Sequence, residues 1–111
     1  MTLMPEATLA ALTRKRQAAF RALLAFVARH GRFPTGKEVA ELLGRTEDAT
    51  WYYLRALGRS GLVERRSGQY VLTPEGLRLA SALGETAWRE DEEVQTALRL
   101  LRSQHAAEGR R

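Results

Sequence analysis

The chain has 111 residues, 44% of them hydrophobic, enough for one modest core and too little for two independent domains. Its formal charge of +5 gives a field that attracts polyanions without regard to sequence, and the absence of cysteine excludes disulfides, thiolate catalysis and thiolate metal sites. No apolar run approaches the ~20 residues of a membrane span, and residues 1–5 have no signal-peptide character, so a cytoplasmic protein with no membrane partner is expected.

The charge is unevenly distributed. Residues 1–83 carry 13 basic and 7 acidic side chains, whereas residues 84–111 carry 5 basic and 6 acidic ones. Nearly every cation is arginine, lysine standing only at Lys15 and Lys37. Arginine suits bidentate contact with phosphate or guanine; a compositional bias toward Arg, Ala and Leu would produce the same count.

In chain order, the first helix is expected over residues 5–30, closed by Gly31. Phe20, Leu23, Leu24 and Val27 recur at i, i+3, i+4 and i+7 and mark its core-facing stripe. Leu9, Leu12 and Ala19 prolong the apolar face beyond what a small core would cover, which calls for a partner. Arg14, Lys15 and Arg16 lie on the opposite side, where a short charge run is usually solvated.

Thr35-Gly36-Lys37-Glu38 is a capping box, and the helix it opens runs to Leu43 before Gly44, with Val39, Leu42 and Leu43 as its buried edge. Thr46 caps the next helix, with Glu47 and Asp48 in a first turn where the helix dipole favours negative charge. Thr50, Leu54 and Leu57 face inward by their spacing, which leaves Trp51, Tyr52, Arg55 and Arg59 pointing outward or sideways. Residues 62–65 and 69–72 alternate as two strands joined at Ser67-Gly68, a hairpin whose tip carries Arg65, Arg66 and Gln69. Thr73-Pro74 starts a further helix to about Leu83, with Gly84 as its break. A last helix is expected over residues 86–107, with Trp88, Val94, Leu98 and Leu101 as a narrow seam at near-heptad spacing.

The fold class that follows is mainly α with a small β-hairpin: a winged helix-turn-helix core at 31–83 within a single domain of 1–111. A long N-terminal helix (5–30) and a C-terminal dimerisation helix (84–108) flank the core. Gly31-Arg32-Phe33-Pro34-Thr35-Gly36-Lys37-Glu38-Val39-Ala40, with Leu57-Gly58-Arg59-Ser60-Gly61-Leu62-Val63, resembles the winged helix-turn-helix transcriptional regulators. The first of these segments looks like the LexA-type DNA-binding domain. Tyr70-Val71-Leu72-Thr73-Pro74-Glu75-Gly76 looks like the wing exit of MarR-like and PadR-like repressors.

The resemblance covers about half the chain. It implies that the helix at 46–60 is a recognition helix and the hairpin a wing, with Thr46, Glu47, Ala49, Trp51, Tyr52 and Arg55 on the DNA face and Arg65, Arg66 and Gln69 on the wing. It further implies a homodimer built by the terminal helices through Leu9, Leu12, Trp88, Val94, Leu98 and Leu101. The expected function is a sequence-specific double-stranded-DNA-binding transcriptional regulator.

Two features depart from that pattern. Glu47 and Asp48 stand near where phosphates would lie, and Trp51-Tyr52-Tyr53 is heavy for a groove-reading face. Both suit the alternative, a winged-helix protein-interaction module in a replication, chromosome or transcription complex. An enzyme is not expected, since no Gly-rich phosphate loop and no recognisable nucleophile setting is present. No cofactor or metal is expected either: His30 and His105 are isolated, and Glu90, Asp91, Glu92 and Glu93 read as a solvated helix face. A small-molecule effector stays open, with no residue cluster to indicate one.

Overall fold

Helix α1 (Arg14–His30) is the post on which the rest of the chain is mounted. The computed structural model describes residues 13–109, in the order α1, α2 (Gly36–Leu43), α3 (Glu47–Arg59), β1 (Val63–Arg66), β2 (Gln69–Leu72), α4 (Pro74–Gly84) and α5 (Glu92–Gly109). Helices α2 and α3 pack on one side of α1 and α5 on another, so α1 is buried almost all round at Ala19, Phe20 and every residue from Ala22 to Val27. All of these except Ala25 and Phe26 join Val39, Leu54, Leu57, Leu62, Leu79, Leu83, Val94 and Leu98 in one continuous core. Each such large apolar side chain removed from water contributes about 1.5–3 kcal/mol.

Threonine starts four of the helices. Thr13, Thr35, Thr46 and Thr73 each have extended backbone and accept, through the hydroxyl, the amide N–H three residues on. Each satisfies an amide that the helix itself cannot. The Thr35 box is complete, since the Glu38 carboxylate accepts the Thr35 N–H at 2.9 Å while Thr35 Oγ1 accepts the Glu38 N–H at 3.2 Å.

Strands β1 and β2 are antiparallel, with Val63 opposite Leu72, Arg65 opposite Tyr70 and Arg66 opposite Gln69. Ser67 (φ 50°) and Gly68 (φ 81°) make the two-residue turn, both in the left-handed region that matches the twist of a tight hairpin. The wing is tied to the start of α2: the Tyr70 N–H donates to the Pro34 carbonyl at 2.8 Å, and Gln69 pairs with Thr35 in an isolated bridge.

Three expectations are corrected. Helix α1 begins at Arg14 rather than near residues 5–8, because Thr13 is extended (ψ 160°) and caps it; Leu9 and Leu12 lie outside the described residues. Helix α4 runs through Gly84, whose carbonyl accepts the Gln95 side-chain amide at 2.7 Å and whose missing Cβ leaves room for Leu98. The last helix starts at Glu92 rather than at residue 86 and extends to Gly109. Asp91 fixes that start by accepting the Val94 N–H at 3.2 Å, and residues 85–90 form turns.

The apolar seam is also placed differently from its expected role between two copies. Val94, Leu98 and Leu101 are buried in the chain's own core, and Trp88 is half-buried with its ring stacked 6.1 Å from Phe20. Nor is the acidic run simply solvated. Arg21 binds Asp91 at 2.6 and 3.1 Å, and Arg29 binds Glu93 at 2.6 and 3.1 Å, clamping the start of α5 to α1.

Candidate nucleic-acid interface

Helix α3 buries one edge and exposes the other, as a 3.6-residue period requires. Thr50, Leu54 and Leu57 are buried, while Trp51 (44% exposed), Tyr52 (68% exposed), Arg55 and Arg59 face solvent. The exposed side chains are ordered against one another. The Arg55 guanidinium lies 4.9 Å above the Trp51 ring, which meets the Tyr52 ring edge-on at 5.5 Å. Stacking of this kind holds an arginine extended and costs it little of its reach.

At the N-terminal end of α3, Glu47 and Asp48 are exposed beside the first-turn amides, and the Thr46 hydroxyl is engaged as the cap for Ala49, which is itself half-buried. Glu47 lines a cleft with Lys37 at the start of α2, Trp51 of α3, and Arg65 and Tyr70 of the wing. The wing therefore meets α3 through its inner face.

Strand register divides the two wing arginines. Arg65 shares a face with Tyr70 and lines the groove running along Trp51, Arg55, Gly58 and Arg59. Arg66 lies on the opposite face and is paired with Glu64 at 2.7 Å. Gln69 is half-buried at the wing edge by its bridge to Thr35. Lys37, Arg55, Arg59 and Arg65 have no carboxylate partner among the described residues, so their charge is directed at solvent.

Three acids elsewhere, Glu38, Asp91 and Glu93, are engaged in holding the frame. Glu38 accepts two hydrogen bonds from Arg32 (2.9 and 2.7 Å) and one from the Thr35 amide, and these hold its carboxyl at about 2, well below its ordinary 4.5. Asp91 is held below the usual carboxylate range chiefly by its hydrogen bonds from Arg21, and Glu93 chiefly by those from Arg29. No helix among the described residues is long and apolar enough to cross a membrane.

A helix-turn-helix unit followed by a two-stranded wing is what the described elements compose. A MarR family protein of Mycobacterium tuberculosis superposes on 84% of the chain and 61% of its own, with a TM-score of 0.54 and 26% identity. The Staphylococcus aureus protein MepR, a transcription regulator of the multidrug efflux pump MepA, superposes on 92% of the chain and 84% of its own, with a TM-score of 0.57 and 20% identity. The fold is a winged helix-turn-helix. In sequence, the LexA repressor of Mannheimia succiniciproducens is 39% identical over 82 residues, which cover 73% of this winged-helix chain and 37% of that repressor's length. No protein-family model matches the chain.

Four cations that the winged helix brings to this face stand outside the expected set of DNA-contacting residues. Lys37 reaches it because the α2 start abuts the wing, and the capping box that places it was legible. Arg59 follows Arg55 by one helical turn, a spacing that would have included it. Arg16, with Lys15, lies beside Tyr52 and Arg59 only through the packing of α1 on α3, for which local sequence carries no signal.

Proposed function

We propose that this winged-helix chain is a sequence-specific double-stranded-DNA-binding transcriptional regulator, with α3 as its recognition helix and the β1–β2 hairpin as its wing. The observation that carries the reading is the unneutralised ridge of Arg55 and Arg59 on α3, with Arg65 facing it across the groove to the wing. Likeness to the LexA repressor and to two MarR-type structures supports it. In this arrangement Trp51, Tyr52 and Arg55 reach base edges, with Thr46, Glu47 and Ala49 at the leading end of the helix and Arg65, Arg66 and Gln69 on the wing beside the backbone. Glu47 doubles as a dipole-favoured first-turn acid and a candidate acceptor for a cytosine amino group.

A homodimer is part of the proposal. Because the α5 seam is buried within one chain, the second copy is assigned to the exposed edge of α5 at Leu100 (37% exposed) together with Leu9 and Leu12 ahead of the described residues. Selection of bound sequences from random duplex DNA tests both parts. An enriched pseudo-palindrome with half-sites about one helical turn apart is expected. A sedimenting mass that stays at 12.5 kDa at all concentrations would remove the dimer.

The exposure of Trp51 and Tyr52 supports a second reading, a winged-helix module that docks a protein partner. Salt separates the two, since binding through about 4 to 8 phosphates weakens steeply as salt rises. Failure to enrich any duplex, together with no salt-dependent DNA binding, would leave the docking reading in place of the first.

A further inference from the structure

The arginine ridge of α3 has a groove on each flank. Toward the wing, Arg55 and Arg59 share a groove with Arg65 and Tyr70; toward α1, the same two arginines share one with Lys15, Arg16, Tyr52 and Tyr53. Among the described residues no carboxylate lines the second groove. Lys15 and Arg16 have no ion-pair partner among the described residues; Lys15 is exposed and Arg16 half-buried.

An α-helix with its side chains is about 10–12 Å across and fills the ~12 Å major groove, so a helix seated there has one phosphate strand passing along each flank. The wing accounts for one strand only. We propose that the first turn of α1 is a second backbone-binding site, in which Lys15 and Arg16, with Arg59, hold the phosphates of the strand on the side of α3 away from the wing. Tyr52 and Tyr53 wall the site. This inference rests on the DNA-binding reading above and adds to it a three-point grip: wing, recognition helix and α1.

The test is the double variant Lys15→Ala with Arg16→Ala, measured on a duplex taken from the selection. Both positions lie in the first turn of a helix, where alanine is well tolerated, and circular dichroism checks that helix content is kept. Loss of two phosphate contacts should lower the slope of log affinity against log salt by about 1.8 and weaken binding roughly 30-fold near 0.15 M salt. Base preference should be unchanged, and hydroxyl-radical protection should be lost from one strand only, that away from the wing. The exchanged pair Lys15→Arg with Arg16→Lys, which keeps both charges, should restore the wild-type slope. An unmoved slope with both strands still protected overturns the inference and leaves the DNA-binding reading standing. Absence of salt-dependent duplex binding by the wild-type chain removes that reading and this inference with it.

Discussion

Thr50 sits on the buried edge of α3, fully enclosed, with its hydroxyl oxygen lacking a hydrogen-bond partner among the described residues. A buried hydroxyl that finds no acceptor keeps its desolvation cost, whereas an isosteric methyl at the same site has none. Thr50→Val should therefore raise stability by about 1 kcal/mol, seen as a higher urea midpoint with an unchanged m-value; a lowered midpoint would mean that the hydroxyl is satisfied in solution. The wing arginines make a second contrast between single residues. Arg65 faces the groove beside α3, while Arg66 points the other way and is neutralised by Glu64. Arg65→Ala is expected to weaken duplex binding about tenfold, in the range of one lost charged contact, and Arg66→Ala by less than threefold. Equal losses in a titration at fixed salt would show that register does not divide their roles. The strand alternation that separates them was already present in the sequence.

At the level of elements, the junction of wing and α4 depends on one glycine. A Cβ placed on Gly76 would lie 2.0 Å from the Leu62 carbonyl oxygen, a backbone atom that also accepts the Thr73 N–H and cannot swing aside as a side-chain tip could. Gly76→Ala should cost at least about 2 kcal/mol, since overpacking against rigid backbone forces the strand and helix apart; a thermal midpoint equal to wild type would contradict this. The elements that sequence identified well, α2, α3 and the hairpin, are those with local punctuation: a threonine cap, a glycine stop, a Ser67-Gly68 turn. The starts of α1 and α5 were misplaced because apolar periodicity continued past them. Thr13 starts α1 without interrupting the apolar pattern of the sequence, and Trp88 prolongs the α5 seam from a turn outside the helix. The expectation of a dimer contact at the seam has a related origin. Periodicity shows that a face needs a partner but not whether the partner is another chain, and here it is α1. The outward stripe of α3 was legible from spacing alone, whereas the α1 groove requires residues 15 and 59 to be brought together by packing.

On the scale of the whole molecule, arginine–carboxylate pairs tie separate elements together: Arg21 and Arg29 of α1 to Asp91 and Glu93 at the start of α5, far along the chain, and Arg32 to Glu38 across the nearby turn into α2. All three acids are held below their ordinary range, Glu38 at about 2 against 4.5. A carboxyl depressed in the folded state binds its proton more readily when unfolded, so stability rises with pH between the two values. The contribution of Glu38 is thus fully present above pH 4.5 and is lost as pH falls through about 2. Asp91 and Glu93 act in the same direction. Urea unfolding followed from pH 6 to pH 2 should show stability falling across the lower half of that range. Glu38→Gln should reduce the slope there by up to about one proton, because its amide does not titrate. Asp91→Asn should also flatten the slope and in addition weaken the closure of α5 on α1, so its stability at pH 6 should fall below that of wild type. Parallel pH profiles for wild type and Glu38→Gln would mean that the Arg32 pair is not maintained in solution, and the lead-in to α2 would then be held by the Thr35 cap and the wing bridge alone.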